Sequence, residues 1–498
     1  MLANRKPSGP NNAWLATWRS PVGTAMYGTG LQRAKPLVAA AGAHPFAEPG
    51  IAADLNLRET EIESGFARLA TTLETLAPQQ FDAGFPERAV TALLELGIEA
   101  APDWFAADWR KPADMASIEA RCVMRLFASL VETGSERQRY YCNEGEPVET
   151  LIRRWGFHAV DITPCADGRL AGLLGAVLRI PLSIVTTRRS FAGAMFSPAQ
   201  SLSDWEKVEL ERFLTAHPNA ADASTRYLKI GVYHFSSLNP GHEGCAAHGS
   251  DTDTARDELR DRLLQFQAAV EARHGSGDRI ALLLVGLDTD TDAIRVHVPD
   301  RRGAIQSSRF VDAVELHGRT QNIGREAAKD TVRRAVADCA GVDPADEATE
   351  GMRWLCGYLL KNNIAQVEAV LRRHGGPYPD AGHGEKLILI GDPIDDVQLR
   401  NLAFQAQMDS VEQGASDLEV GIRILTKTAD GRVPVLVLKS YCPDLPGDRD
   451  RSATAAYRMG CAVRSRFSDA LVTVESALRD CSGGKIEFLD TLEGRTSL

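Results

Sequence analysis

The stretch Trp155-Gly-Phe-His-Ala-Val-Asp-Ile-Thr-Pro164, followed at once by Cys165-Ala166-Asp167-Gly168-Arg169, decides how the chain is read. Residues 157–162 form an apolar run of strand length, and the proline closes it. A thiol, a carboxylate and a guanidinium then stand at i, i+2 and i+4. In an extended segment residues two apart share a side, so the three side chains are expected to face one pocket beyond the strand end.

Outward from that run, apolar stretches at 183–186, 227–235 and 280–287 alternate with helical patterns at 203–214 and 257–271. Strands alternating with helices imply an α/β layer architecture around a largely parallel sheet, whose sites lie where strands stop. Cys165 and His234 both fall at such ends. Upstream, Ile62, Phe66, Leu69, Leu73 and Leu76 recur at intervals of four and three, which puts them on one helix face. Further helical periods run through Ala89, Leu93, Leu94 and Leu96, and through Ile118, Val123, Leu126, Leu130 and Val131. The expected division is an arm at 1–50, a helical domain at 51–145, an α/β domain at 146–385 and a third region at 386–498. The class is α+β or α/β.

At 498 residues, 44% hydrophobic and 25% charged, the chain has material for two or three cores rather than one. Its formal net charge of -11 argues against general nucleic-acid binding, which would show as a basic excess. No run of about eighteen apolar residues occurs, and no signal-type apolar core opens the sequence, so a soluble, intracellular protein without membrane contact is expected. The nine cysteines are odd in number and scattered from Cys122 to Cys481, which suits reduced, mostly buried thiols. Residues 1–50 hold six prolines, six glycines and five bases against the single acid Glu48. Such a segment buries too little apolar area to offset chain entropy and is expected to be disordered when alone. Trp14, Trp18 and Tyr27 among its bases suit docking onto an acidic partner.

Tyr227-Leu-Lys-Ile-Gly-Val-Tyr-His234-Phe-Ser-Ser-Leu-Asn-Pro-Gly-His242-Glu-Gly-Cys245-Ala-Ala-His248 places one thiol near three imidazoles. Together with Cys165, Cys245 and one histidine make a set that zinc accepts in open catalytic sites, with a fourth position left for water. Spacing alone does not choose among His234, His242 and His248. Asp288-Thr-Asp290-Thr-Asp292 has the alternating acids of a calcium loop but neither its turn glycine nor its final glutamate, and strands on both sides make it a hairpin turn. Glycine-rich nucleotide motifs are absent, so no nucleotide cofactor is expected. His383, in Asp380-Ala-Gly-His-Gly-Glu385, is a candidate proton relay, as are His242 and His248; an ordinary loop histidine is the plainer reading of each.

The stretches HAVDITPCADGRLAGLL, AHPNAADASTRYLKIGVYHFSS and HEGCAAHGS closely resemble the carboxysomal shell carbonic anhydrases, a divergent branch of the β-class. The β-class pattern is Cys-x-Asp-x-Arg followed distantly by His and Cys, and this chain supplies Cys165, Asp167, Arg169, His234 and Cys245. Ordinary members keep the last two ligands two residues apart, whereas ten residues intervene here, as in the carboxysomal branch. The resemblance implies one Zn2+ per chain held by Cys165, His234 and Cys245, with Asp167 orienting the attacking oxygen and Arg169 holding Asp167 off the metal. Asp167→Ala or Arg169→Ala is then expected to abolish most activity while zinc is retained.

The resemblance also implies a third region that copies the catalytic fold without its metal and acts as a built-in partner. Two weak echoes fit: Val420-Gly-Ile-Arg-Ile-Leu425 against 230–235, with Ile424 in place of His234, and Cys442-Pro-Asp444 against the opening motif, with Pro446 in place of Arg169. The implied function is reversible hydration of CO2 inside a carboxysome, at or near the inner face of its shell, with bicarbonate dehydrated to supply Rubisco. Further expectations are an arm that binds Rubisco or a shell protein and a homodimer or higher oligomer. The alternatives are another zinc lyase or hydrolase, and a shell scaffold whose zinc is structural.

Overall fold

The computed structural model describes residues 44–489 apart from 106–112, 136–145, 216–224, 276–278, 345–349, 381, 395–398, 409, 429–430, 469–470 and 483. Most of the arm expected at 1–50 lies outside the described residues. Its end is packed, with His44 and Phe46 buried and Pro49 opening the first helix.

Helix α1 (Pro49–Leu76) buries Phe66, Leu69, Leu73 and Leu76, the face its periodicity marks. With α2 (Phe85–Leu94) and α3 (Met115–Ser135) it forms an apolar cluster that also contains Leu387, Leu389, Leu436 and Leu438. Those four belong to the strands of a C-terminal sheet described below. The helices therefore cover one face of a sheet, which must bury that face against something.

After α4 (Val148–Arg154) come β1 (Phe157–Pro164), β2 (Val185–Arg188), α5 (Pro198–Leu214), β3 (Arg226–Phe235), α6 (Thr252–His274) and β4 (Ile280–Asp288). They are followed by β5 (Ile294–His297), β6 (Val311–Asp312), α7 (Ala313–Thr320), α8 (Arg325–Ala340) and α9 (Glu350–His374). The strands make one six-stranded sheet in the order β2-β1-β3-β4-β5-β6, parallel from β2 to β4 and antiparallel beyond. Strands β3 and β4 are buried almost end to end, as the interior of a parallel sheet covered on its faces requires. Pro164 ends β1 level with Val232, and Phe235 ends β3 level with Asp288, so three parallel strands stop along one edge.

The third region contains β7 (Leu387–Gly391), β8 (Ala403–Ala406), α10 (Val411–Thr428), β9 (Val433–Tyr441), α11 (Asp448–Arg466), β10 (Val472–Asp480) and β11 (Ile486–Phe488). Its sheet runs β11-β10-β9-β7-β8, parallel except for the last strand. That is the order and orientation of β5-β4-β3-β1-β2, so the second sheet repeats the first. The two sequence echoes, however, fall in the wrong places. Residues 420–425 lie inside helix α10, because Leu418, Ile422 and Leu425 recur at helical spacing and bury one face. Cys442 follows β9, the counterpart of β3, so it does not correspond to Cys165. Pairing Pro164 with Val232 and Gly391 with Leu438 puts Asp392 at the place of Cys165 and Ser440 at that of His234. Asp392 accepts a hydrogen bond from Ser440 N, so these two positions hold neither thiol nor imidazole. Among the described residues no helix is long and apolar enough to cross a membrane.

Candidate metal centre

Cys165 follows β1, His234 is the penultimate residue of β3, and Cys245 ends the loop that leaves β3. Their Sγ and ring nitrogen atoms lie within 4.8 Å of one another, with the two sulfurs 4.0 Å apart. All three are buried, His234 completely. Neither nitrogen of His234 has a hydrogen-bond partner, and Nε2 stands 3.4 Å from Asp167 Oδ2 without forming one. A buried imidazole left idle in this way costs free energy unless something else uses its lone pair. Two thiols and an idle imidazole converging at such distances fit a zinc donor set with one position open.

The thiols differ. Burial pushes Cys165 well above the ordinary thiol range, while a hydrogen bond from Cys165 lowers Cys245. A divalent cation bound between them would displace the thiol protons. The backbone N–H of Gly193 also donates to Cys165 Sγ at 3.2 Å. Gly193 has φ 65°, which favours glycine, and a Cβ there would press on the His248 ring.

Asp167 and Arg169 converge by a different route from the one extended geometry suggests. Residues Gly168–Leu170 form a short 3-10 turn, and Asp167 caps it by accepting from Arg169 N at 2.9 Å. The turn swings the guanidinium back, so that Nε donates to Oδ1 at 2.9 Å and Nη2 to Oδ2 at 2.7 Å. Burial would raise the Asp167 carboxyl, but Arg169 first, then His234 and His383, hold it well below the usual carboxylate range. The same guanidinium donates to Glu243 O at 2.7 Å and Gly244 O at 3.4 Å, the two carbonyls just ahead of Cys245.

The end of the α/β region and the start of the third complete the site. Glu385 Oε1 accepts from Gly168 N at 3.0 Å and lies 3.2 Å from His383 Nδ1. His383 Nε2 is 3.5 Å from Arg169 Nη2, and Nδ1 is 3.7 Å from Asp167 Oδ2. Burial opposes a charge on His383, but Asp167 and Glu385 outweigh it and raise its pKa. Around β8, Asn401 N donates to Gly168 O and Gln405 N to Ala166 O, both at 2.8 Å, so the turn between Cys165 and Arg169 is clamped onto an edge strand of the second sheet. A Cβ on Gly168 would meet Glu385 Cγ at 2.7 Å and Ala403 O at 2.8 Å. Asp167, His383 and Glu385 form a second ligand-like group, but the carboxylate of Asp167 already has Arg169 as its cation.

Of the three histidines the sequence left open, His234 alone joins the two thiols within that 4.8 Å group. His242 is exposed on the loop, and His248 points at Gly193 O (3.2 Å) and Glu258 (3.6 Å). Glu385 escaped the sequence reading although it stands two residues after His383, the same spacing that ties Cys165 to Asp167. Thr289, whose Oγ1 accepts from Arg169 Nη1 at 3.5 Å, carried no signal of its own.

Comparison with known proteins gives the family. Models of the N-terminal, catalytic and C-terminal parts of the Carboxysome Shell Carbonic Anhydrase match residues 44–134, 147–383 and 384–491 in turn. The chain is 38% identical over 435 residues to the carboxysome shell carbonic anhydrase of Halothiobacillus neapolitanus, covering 85% of each chain. It is 37% identical over 434 residues to that of Prochlorococcus marinus strain MIT 9313, covering 86% of this chain and 84% of the relative. A similar protein of Parasynechococcus marenigrum is 37% identical over 441 residues, with 86% and 74% covered. By these matches across its helical, catalytic and C-terminal parts, the chain belongs to the carboxysome shell carbonic anhydrase family.

Proposed function

We propose that the chain is a zinc carbonic anhydrase that works inside a carboxysome and dehydrates bicarbonate to CO2 where Rubisco can fix it. The observation that carries the reading is the buried set of Cys165, Cys245 and the unpartnered His234, with an Arg-held carboxylate 3.4 Å from that imidazole. When bound there, zinc would supply Lewis acidity and activate water for attack on CO2, less strongly between two thiolates than among three histidines, so turnover is expected to rise into the alkaline range. Cys165, His234 and Cys245 hold the ion. Asp167, kept ionised by Arg169, accepts a hydrogen bond from the reacting oxygen and orients it, and the same carboxylate accepts from the hydroxyl of bicarbonate in the reverse direction. The bidentate clamp keeps Asp167 from turning onto the metal, which leaves the fourth position for substrate. Glu385 fixes the turn that aims Asp167, and His383, beside both carboxylates, is the nearest group to relay a proton outward.

One zinc per chain follows from Asp392 and Ser440 standing at the second sheet's equivalent positions. The clamp of β8 on residues 166–168 supports the idea that the inert copy replaces a partner subunit at the site. Confinement in the carboxysome, association with Rubisco or a shell protein through the arm at 1–50, and a homodimer or larger assembly rest on the relatives' names and on composition. A scaffold with structural zinc would leave the Asp167 carboxylate beside His234 without a task, and structural zinc sites are closed by four protein ligands. Stopped-flow CO2 hydration by the purified chain separates the readings: rapid turnover abolished by a chelator and restored by zinc is expected, and no turnover by the zinc-loaded chain would favour the scaffold.

A further inference from the structure

The turn at 288–292 joins β4 to β5 and is buried throughout, with exposures from 0% at Asp290 to 4% at Thr291. Hairpin turns usually meet water, and burying three aspartates is costly unless hydrogen bonds satisfy them. The donors come mainly from one place. Asp288 accepts from Ser237 N (3.0 Å) and Ser237 Oγ (2.8 Å), and Asp290 Oδ2 accepts from Ser236 Oγ (2.8 Å) and Leu238 N (2.7 Å). Ser236, Ser237 and Leu238 begin the loop between the metal-site residues His234 and Cys245.

The rest of that loop is fixed in sequence. Asn239 N donates to Ser236 Oγ, Glu243 N donates back to Asn239 O, and Arg169 grips the carbonyls of Glu243 and Gly244. The turn is itself braced, since Thr289 N donates to Phe235 O, Tyr378 N to Asp290 O and Arg400 Nη2 to Thr289 O. Asp292 accepts from Gln366 and Tyr378. Ten residues separate His234 from Cys245, and a free segment of that length would lose about 1–2 kcal/mol of backbone entropy per residue on being fixed around an ion. The two carboxylates meet that cost in the fold, before any metal arrives.

We infer that Asp288 and Asp290 are positioning residues of the metal centre, which hold the Ser236–Leu238 end of the loop so that Cys245 is presented to Cys165 and His234. The inference rests on the zinc reading above. Outer partners that orient ligands are worth roughly ten- to a hundredfold in metal affinity. In the full-length zinc-loaded chain, Asp290→Ala is therefore expected to speed zinc transfer to a chromophoric chelator by about ten- to a hundredfold and to weaken the thiolate charge-transfer band of the cobalt-substituted protein. Asp290→Asn keeps an acceptor for Leu238 N–H and is expected to stay within about threefold of wild type, whereas Asp290→Leu, which fills the space without an acceptor, is expected to release zinc as fast as Asp290→Ala. Ser236→Ala removes one donor and leaves both carboxylates; about two- to tenfold faster release is expected.

A folded Asp290→Ala with wild-type release and an unchanged cobalt band overturns the inference. If Asp290→Ala does not fold, Ser236→Ala decides, and wild-type release from it has the same meaning. A wild-type chain that takes up no zinc overturns the metal reading and this inference with it, so the two failures are distinguishable.

Discussion

Arg169→Ala is expected to lower CO2 hydration by about 10²- to 10³-fold, the usual loss when a preorganised electrostatic contact is removed. It is also expected to destabilise the fold by about 3–5 kcal/mol, because Asp167, 4% exposed, is left buried without its cation. The sequence alone led to the expectation that zinc would survive this change. The hydrogen bonds from Arg169 to Glu243 O and Gly244 O alter that expectation, since they hold the backbone just ahead of Cys245. Faster zinc release should therefore accompany the loss of turnover. Asp167→Asn makes the contrast: Arg169 keeps its hold on the loop, so turnover falls while zinc is retained. Arg169→Lys should not restore activity, because a point ammonium cannot reproduce the two-pronged contact with Asp167. Equal zinc retention in Arg169→Ala and Asp167→Asn would show that the guanidinium serves the carboxylate alone.

Cys245→Ser is expected to lose zinc and, with it, essentially all CO2 hydration. The substitution is nearly isosteric, but a hydroxyl is a far poorer zinc donor than a thiolate, and it leaves only Cys165 and His234 to hold the ion. The same loss should follow from Cys165→Ser, and chelation of the wild-type chain should reproduce it reversibly. Metal analysis beside stopped-flow assays checks this. A Cys245→Ser chain that keeps both zinc and turnover would remove Cys245 from the site.

Much of this is legible in the sequence, for reasons that differ between elements. Strands β1, β3 and β4 are buried on both faces, so their apolar runs stand out, and the Cys165, Asp167 and Arg169 motif lies within five residues. The choice of His234 could not be read from spacing, since it depends on the path of a ten-residue loop, and that path is set by acids more than forty positions downstream. Glu385 and the β8 clamp reach the site from over two hundred residues away in sequence, beyond any local pattern. The misplaced echoes have a simple cause. A short apolar run such as 420–425 is compatible with strand and helix alike, and only the wider spacing of Leu418, Ile422 and Leu425 marks the helix. Repetition of the fold is carried by strand order, whereas Asp392 and Ser440 at the equivalent positions keep neither the thiol nor the imidazole.

The central claim is that Cys165, His234 and Cys245 together hold one zinc ion with a position left open. Zinc K-edge absorption on the purified full-length chain tests it most directly. The account predicts two sulfur neighbours at about 2.3 Å and two nitrogen or oxygen neighbours at about 2.0–2.1 Å, one of them exchangeable. A shell of four sulfurs, or one with no sulfur at all, would contradict it.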